Sequence, residues 1–204
     1  MKKIKVLDCT YSDAYKLPEL CEGLIELDCS FSEVATIPKL PSSLKTLRTM
    51  HNSVTKIPSL PDSLEVLDCW DTKVAMIPKL PPKLRVLNCS GAYLINRLPK
   101  LPGSLKELDC SGTGISTLPK LPDGLEVLSC FAVINKLPSS LKELYYTGDG
   151  LPPLPEGLEV LECSSIPVEE LPELPESLNE LRCGGVAFSK KNLAALKNKH
   201  RHSK

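Results

Sequence analysis

The chain has 204 residues, a formal net charge of +0, 42% hydrophobic and only 4% aromatic residues. Zero net charge excludes a global field that would draw it to nucleic acid or membrane, and no apolar run reaches membrane-spanning length. With 19 prolines and 11 glycines a random arrangement would read as disordered, but here the prolines fall in register, which excludes disorder.

That register comes from a unit of about twenty residues that recurs from end to end, the mark of a stacked solenoid. Residues 98–117, LPKLPGSLKELDCSGTGIST, show it complete. Numbered from its first Leu or Ile, Leu98, Leu101, Leu105, Leu108, Cys110 and Ile115 hold places 1, 4, 8, 11, 13 and 18. Pro99 and Pro102 hold places 2 and 5, and Thr113 holds place 16.

The first unit is truncated. Ile4, Leu7 and Cys9 take places 8, 11 and 13 with no LPxLP before them. Its strand is therefore an open edge, which Lys2, Lys3 and Lys5 protect by charge unless a second copy pairs there to give a homodimer. The segment MKKIKVLDC lacks the apolar core of a signal peptide, so the expected compartment is the cytoplasm. Units from Leu17, Ile37 and Ile57 follow at a spacing of twenty, and the unit from Ile77 carries one extra residue near Tyr93 to Asn96. After Leu98, the units from Leu118 and Ile134 are shortened, and Tyr146 replaces the cysteine of place 13. Tyr146 is expected to fill the space left by the shorter loop, with Tyr145 and Phe131 clustered beside it. Regular units resume at Leu151 and Leu171. The last strand is expected to end near Cys183, with Phe188 at place 18. Ser189 then reads as an N-cap for a short turn carrying Leu193 and Leu196 over the final coil. Residues 1–188 are thus one solenoid of about ten units of about twenty residues, and 189–204 a capping turn and basic tail.

Within a unit, Leu105-x-x-Leu108-x-Cys110 ends in period-two alternation, which is strand chemistry. So short a strand cannot bury its own apolar edge, whereas stacking copies in parallel covers each Leu with the next. Proline fixes φ near −65° and removes an amide donor, so the LPxLP half is extended and close to polyproline II. The expected fold belongs to the α/β repeat class but is almost all β. It is a curved parallel ribbon with an extended convex side and few or no helices.

Eight of the nine cysteines, Cys9, Cys29, Cys69, Cys89, Cys110, Cys130, Cys163 and Cys183, occupy the inward place 13. They are expected to form a reduced, buried column, since free Cys behaves as a small hydrophobe and no CxxC pair offers a metal site. Cys21 stands at place 5 near Glu19 and Glu22, carboxylates that disfavour a thiolate. No cofactor or metal is expected. No Ser-His-Asp set, glycine-rich phosphate loop or paired carboxylates in a cleft is present, so the chain reads as a non-enzyme.

Places 10, 12 and 14 are expected to point outward. Place 12 begins Asp8, Asp28, Arg48, Asp68, Asn88 and Asp109, and place 10 carries Glu26, Glu107, Glu143 and Glu180 among valines. This sheet face is acidic, while Lys39, Lys79, Lys100 and Lys120 lie on the return loops. An acidic face repels phosphates, which argues against nucleic acid there and for a protein partner with basic residues. Places 14 and 15 add Phe31, Met50, His51, Trp70 and Asp71 beside Arg48 and Asp68. Exposed Trp, Met and Arg together have the composition of a binding hot spot, so Arg48, Met50, His51, Asp68, Trp70 and Asp71 are the candidate partner-binding residues. Place 16, with Ser12, Ser32, Asn52, Thr72 and Thr113, is read as structural, its side chains bonding backbone in the neighbouring turn.

With LxxLxCxx[TNS]x[IV] followed by LPxLP in hand, the chain resembles leucine-rich repeat proteins. It is most similar to the short bacterial class built on LPxLPxxLxxLxVxxNxL, found in secreted effectors of the YopM and IpaH type. The resemblance covers Ile4 to about Phe188 and implies a curved solenoid whose inner face binds host proteins, in the host cytoplasm for an effector or viral protein. Cys stands where the class prefers Val, and Ser or Thr where it prefers Asn. Against that class, this stretch of sequence is expected to lack the N-terminal helical hairpin, and its residues after Phe188 are too few for the ubiquitin-ligase domain of the IpaH branch. The expected function is a protein–protein interaction scaffold acting through its concave face. The alternatives are a substrate-recognition module for a ubiquitin ligase whose catalytic domain is elsewhere, and a self-assembling structural protein.

Overall fold

Each unit folds into one coil, and the coils stack in chain order. The computed structural model describes residues 4–148, 150–163, 165–166, 171–188, 193, 194 and 196. Its strands are β1 (Val6–Asp8), β2 (Glu26–Asp28), β3 (Thr46–Arg48), β4 (Val66–Asp68), β5 (Val86–Asn88) and β6 (Glu107–Asp109). They continue as β7 (Val127–Cys130), β8 (Glu143–Tyr146), β9 (Val160–Cys163), β10 (Glu180–Cys183) and β11 (Val186–Phe188). All join one 11-stranded sheet in sequence order. From β1 to β10 the pairing is parallel and like places meet, as in Leu47↔Leu67 and Val66↔Val86. The curved, almost all-β solenoid expected from the repeat is the observed fold.

Prolines set the return half. The place-8 amide donates to the place-5 carbonyl, Leu64 to Pro61 at 3.0 Å and Leu125 to Pro122 at 3.1 Å, closing a turn that delivers the Leu inward. A feature that the sequence reading passed over then stitches coil to coil. Place-7 serines donate to the place-8 carbonyl of the preceding coil: Ser63 to Leu44 at 2.6 Å, Ser104 to Leu84 at 2.7 Å, Ser177 to Leu158 at 2.6 Å. The hydroxyl satisfies a carbonyl that the short strand leaves outside its ladder.

Place 11 supplies the centre of the core. Leu27, Leu47, Leu67 and Leu87 are fully buried, each contributing about 1.5–3 kcal/mol of apolar burial. Beside them runs the cysteine column, buried from Cys29 to Cys183, with Cys9 half-buried and Cys21 exposed. Burial pushes the thiols of Cys29, Cys69, Cys130 and Cys163 up to about 12 from an ordinary 9.0. Several donate onward along the stack, Cys69 Sγ to the Asn88 carbonyl at 3.4 Å and Cys29 Sγ to that of Arg48 at 3.5 Å. Thr49 takes the same place in its coil, and its buried Oγ1 has no hydrogen-bond partner. Tyr146 is buried at place 13 of the shortened coil, and its hydroxyl fills the space over Gly148, where an added Cβ would lie 2.6 Å from it. Register survives the deletion, with Cys130 opposite Tyr146. Phe131, in contrast, is exposed, and Tyr145 is half-buried on the sheet face.

Three expectations need correction. Place 14 does not continue the outward alternation, because the early strands end at place 12 and place 14 lies in a turn; Ser30 there is fully buried. At place 16 only Asn52 reaches the neighbouring coil, its Nδ2 donating to the Cys29 carbonyl at 3.2 Å. The shorter hydroxyls of Ser32, Thr72 and Thr113 donate within their own coil, to Cys29, Cys69 and Cys110. Phe188 is not on the return side. Gly184 and Gly185, with φ of 54° and 76°, make a two-residue hairpin that sends β11 back antiparallel along β10, Phe188 opposite Leu181. Ser189 and residues 197–204 lie outside the described residues. Leu193, Ala194 and Leu196 have helical backbone, with Leu193 buried in the core.

Candidate partner-binding surface

The geometry of the surface follows from how each strand ends. An aspartate or asparagine at place 12 turns its Oδ1 back to accept the place-14 amide: Asp8 from Thr10, Asp28 from Ser30, Asn88 from Ser90 and Asp109 from Ser111, all at 3.0 Å. Asp68 does the same for Trp70 at 3.1 Å. These are Asx turns. Much of the acidity of the sheet face is thus also the chain's means of leaving the sheet. The amide and hydroxyl of Thr10 hold the Asp8 carboxyl below its usual range. Desolvation raises that of Asp68, against the pull of the Trp70 amide, Asn88 and Arg48.

The turn forces place 15 into the left-handed region. Tyr11, Phe31, His51 and Asp71 have φ of 55°, 52°, 48° and 50°, and the next coils place Gly91 and Gly112 there at 67° and 63°. A left-handed L-residue costs about 1–2 kcal/mol relative to glycine's freedom. Four consecutive coils therefore carry a side chain where the following two use the residue without one.

Those side chains form a ladder along the edge of the ribbon. Tyr11 and Phe31 stack with centroids 5.2 Å apart and planes at 11°. Phe31 lies 5.6 Å from His51, and His51 lies 6.2 Å from Trp70, which also meets Phe31 edge-on at 6.3 Å. Asp71 Oδ2 accepts from His51 Nδ1 at 2.5 Å, which holds the imidazole in the ladder. The ladder faces solvent: Tyr11 is 77% exposed, Trp70 38%.

The six predicted residues are therefore divided between two adjoining surfaces. His51, Trp70 and Asp71 belong to the edge ladder. Arg48 and Asp68 pair in register on the sheet face, where Arg48 Nη1 forms an ion pair with Glu26. Met50 sits between them, half-buried, its amide donating to Ser30 Oγ at 3.2 Å. Tyr11 was missed, although aligning place 15 down the repeat reads Tyr11, Phe31, His51, Asp71 before the two glycines. Farther along the sheet face, Val86, Val127, Glu107, Asp109, Tyr145 and Glu162 line a shallow open depression.

No protein-family model and no curated protein matches the sequence. Among solved structures, YopM from Yersinia enterocolitica WA-314 is similar at 34% identity and a TM-score of 0.77, over 82% of this chain and 39% of that one. YopM of Yersinia pestis, described as a leucine-rich effector protein, shares the fold at 24% identity and a TM-score of 0.58, over 88% of this chain and 66% of that one. The chain thus spans well under half the length of the first of these.

Proposed function

We propose, from the premise that the chain is a leucine-rich repeat solenoid of the YopM-like class, that it is a non-enzymatic scaffold whose protein partner seats on the edge ladder and the adjoining sheet face. The observation that carries this is the column at place 15. Tyr, Phe, His and Asp side chains stand there at positive φ, a conformation costly above all for Tyr11 and Phe31, while the next two coils take glycine at the same place. Strain held at consecutive positions, with the side chains turned to solvent, points to a use outside the fold. Stacked aromatic rings provide rigid contact area at little entropic cost. The carboxylates at places 10 and 12 favour a partner that brings Lys or Arg to the sheet face. The proposed place of action is intracellular, the host cytoplasm for an effector of this class. The same reading leaves the edge of β1 free for self-association.

The test is capture from a host-cell lysate with quantification by mass spectrometry. Wild type is compared with Phe31→Gly/Trp70→Ala, with Arg48→Glu, and with Lys79→Glu/Lys100→Glu on the return loops. The expected result is a partner lost from the ladder variant, weakened by Arg48→Glu and retained by the loop control. A partner retained by the ladder variant and lost from the loop control would overturn the assignment.

A further inference from the structure

The first coil departs from the burial pattern that the other coils keep. Its place-8 residue, Ile4, is 58% exposed, against 1% for Leu24 one coil later. Leu7, Cys9 and Ala14 are half-buried at places 11, 13 and 18, where Leu27, Cys29 and Val34 are fully buried. Val6 on the sheet face is 56% exposed. The core is cut open in cross-section here, and among the described residues nothing pairs with the outer side of β1.

The backbone of that side can be read from the ladder. Cys9 N–H donates to the Asp28 carbonyl at 2.7 Å, and the Lys5 carbonyl accepts the amides of Ile25 and Glu26 at 2.7 and 3.0 Å. Peptide groups alternate in direction along a strand, so the N–H and C=O of both Val6 and Asp8 point away from β2. Residues carrying both groups outward are what an antiparallel neighbour needs, because hydrogen-bonded antiparallel pairs exchange both bonds.

We infer that the outer edge of β1 is a homodimer interface, in which two copies pair antiparallel across a two-fold axis at Leu7. That register is the one that uses the whole three-residue strand. Val6 of each copy exchanges both backbone bonds with Asp8 of the other, and Leu7 meets its own symmetry mate at the centre. A two-fold axis normal to the sheet keeps core side beside core side, so Leu7 covers its own equivalent, Cys9 lies opposite Lys5 and Ile4 opposite Thr10 of the other copy, and the two sheets run on as one. The charges agree with this direction. Lys5 precedes the centre and Asp8 follows it, so antiparallel pairing brings the lysine of each strand to the end where the other presents its aspartate. A parallel neighbour would set like against like. Self-pairing is also the chemistry that the coils already practise, each accepting a near-copy of itself across a strand edge.

The experiment uses the full 204-residue chain. Sedimentation velocity across a concentration series is expected to show a monomer–dimer equilibrium. Val6→Pro is expected to abolish the dimer, because it removes an outward N–H while the bonds of β1 to β2 remain. Val6→Lys repeats the test without altering the backbone, and circular dichroism checks that both variants keep the wild-type spectrum. Register is read by disulfide trapping in a Cys9→Ser/Cys21→Ser background. Leu7→Cys is expected to cross-link under mild oxidation, since facing residues of a non-hydrogen-bonded pair come within disulfide reach, and Val6→Cys is not. A wild-type monomer at every concentration, or a dimer untouched by Val6→Pro and Val6→Lys, would overturn the interface. Cross-linking of Val6→Cys in place of Leu7→Cys would overturn the register.

Discussion

The two ends of the solenoid present the same residues to opposite fates. At the C-terminal end, Leu178, Leu181 and Cys183 at places 8, 11 and 13 are buried. At the N-terminal end, Ile4, Leu7 and Cys9 hold those places and are exposed or half-buried. The final coil is covered because the chain reverses through Gly184 and Gly185, lays β11 along β10 and brings Leu193 onto the core. A stack of identical coils has no intrinsic reason to stop, so each end needs its own device. One end has its device among the described residues, and at the other none of the described residues pairs with the outer side of β1.

The comparison breaks most directly through one substitution made at three heights. Leu108→Ala in mid-stack and Leu181→Ala under β11 are each expected to cost about 2–5 kcal/mol in urea unfolding. Leu7→Ala is expected to cost under about 1 kcal/mol at concentrations where the chain is monomeric, since a half-buried side chain leaves little cavity. Equal costs at Leu7 and Leu108 would mean that the first coil is covered in solution.

Next in size is the loss of the C-terminal device. Gly184→Val/Gly185→Val places two β-branched residues at φ of 54° and 76° and is expected to cost about 2–4 kcal/mol. Hydrogen exchange should then show the amides of β10 opening while those of β4 to β6 stay protected. Protection unchanged in β10 would argue that Leu193 and its neighbours suffice as the cap.

Alkaline titration separates the ends through their thiols. Where a thiol has a higher pKa folded than unfolded, the folded state holds the extra proton between the two values. Stability therefore falls as pH rises from 9.0 toward about 12. Cys69→Val is expected to flatten that fall by up to about 1.4 kcal/mol per pH unit, and Cys9→Val by much less, because Cys9 is only half-buried. Matching slopes for the two variants would contradict the difference in burial.

The smallest effect lies inside the stack, at Thr49. Its hydroxyl is buried without a partner in a column built mostly of thiols. Thr49→Cys is expected to raise stability by about 1 kcal/mol, read as a higher urea midpoint with unchanged slope. A lower midpoint would mean that the hydroxyl is satisfied in solution.

Much of this fold was legible because its signals are periodic. The place-11 leucines and the cysteine column follow from strand alternation repeated at fixed spacing, and Tyr146 was readable as a replacement in that column. Trp70 and His51 were legible as unusual residues at outward places. What escaped were residues with two uses. Asp8, Asp28, Asp68 and Asp109 read as surface acidity and prove also to close turns. Ser63 and Ser104 were passed over and prove to stitch coils. Tyr11 escaped because the significance of place 15 lies in a backbone angle that composition does not display. Gly184–Gly185 carried a hairpin signal, but the solenoid pattern before it suggested one more return loop.

The sequence by itself determined the repeat, the inward columns and the extended proline half, because these depend on contacts between equivalent residues of successive units. Tertiary structure alone decided where strands stop, which way place 14 turns, the positive φ of place 15 and the antiparallel reversal at the end. Those outcomes depend on competition among hydrogen-bond partners in neighbouring coils, and that competition is settled only once the coils are stacked.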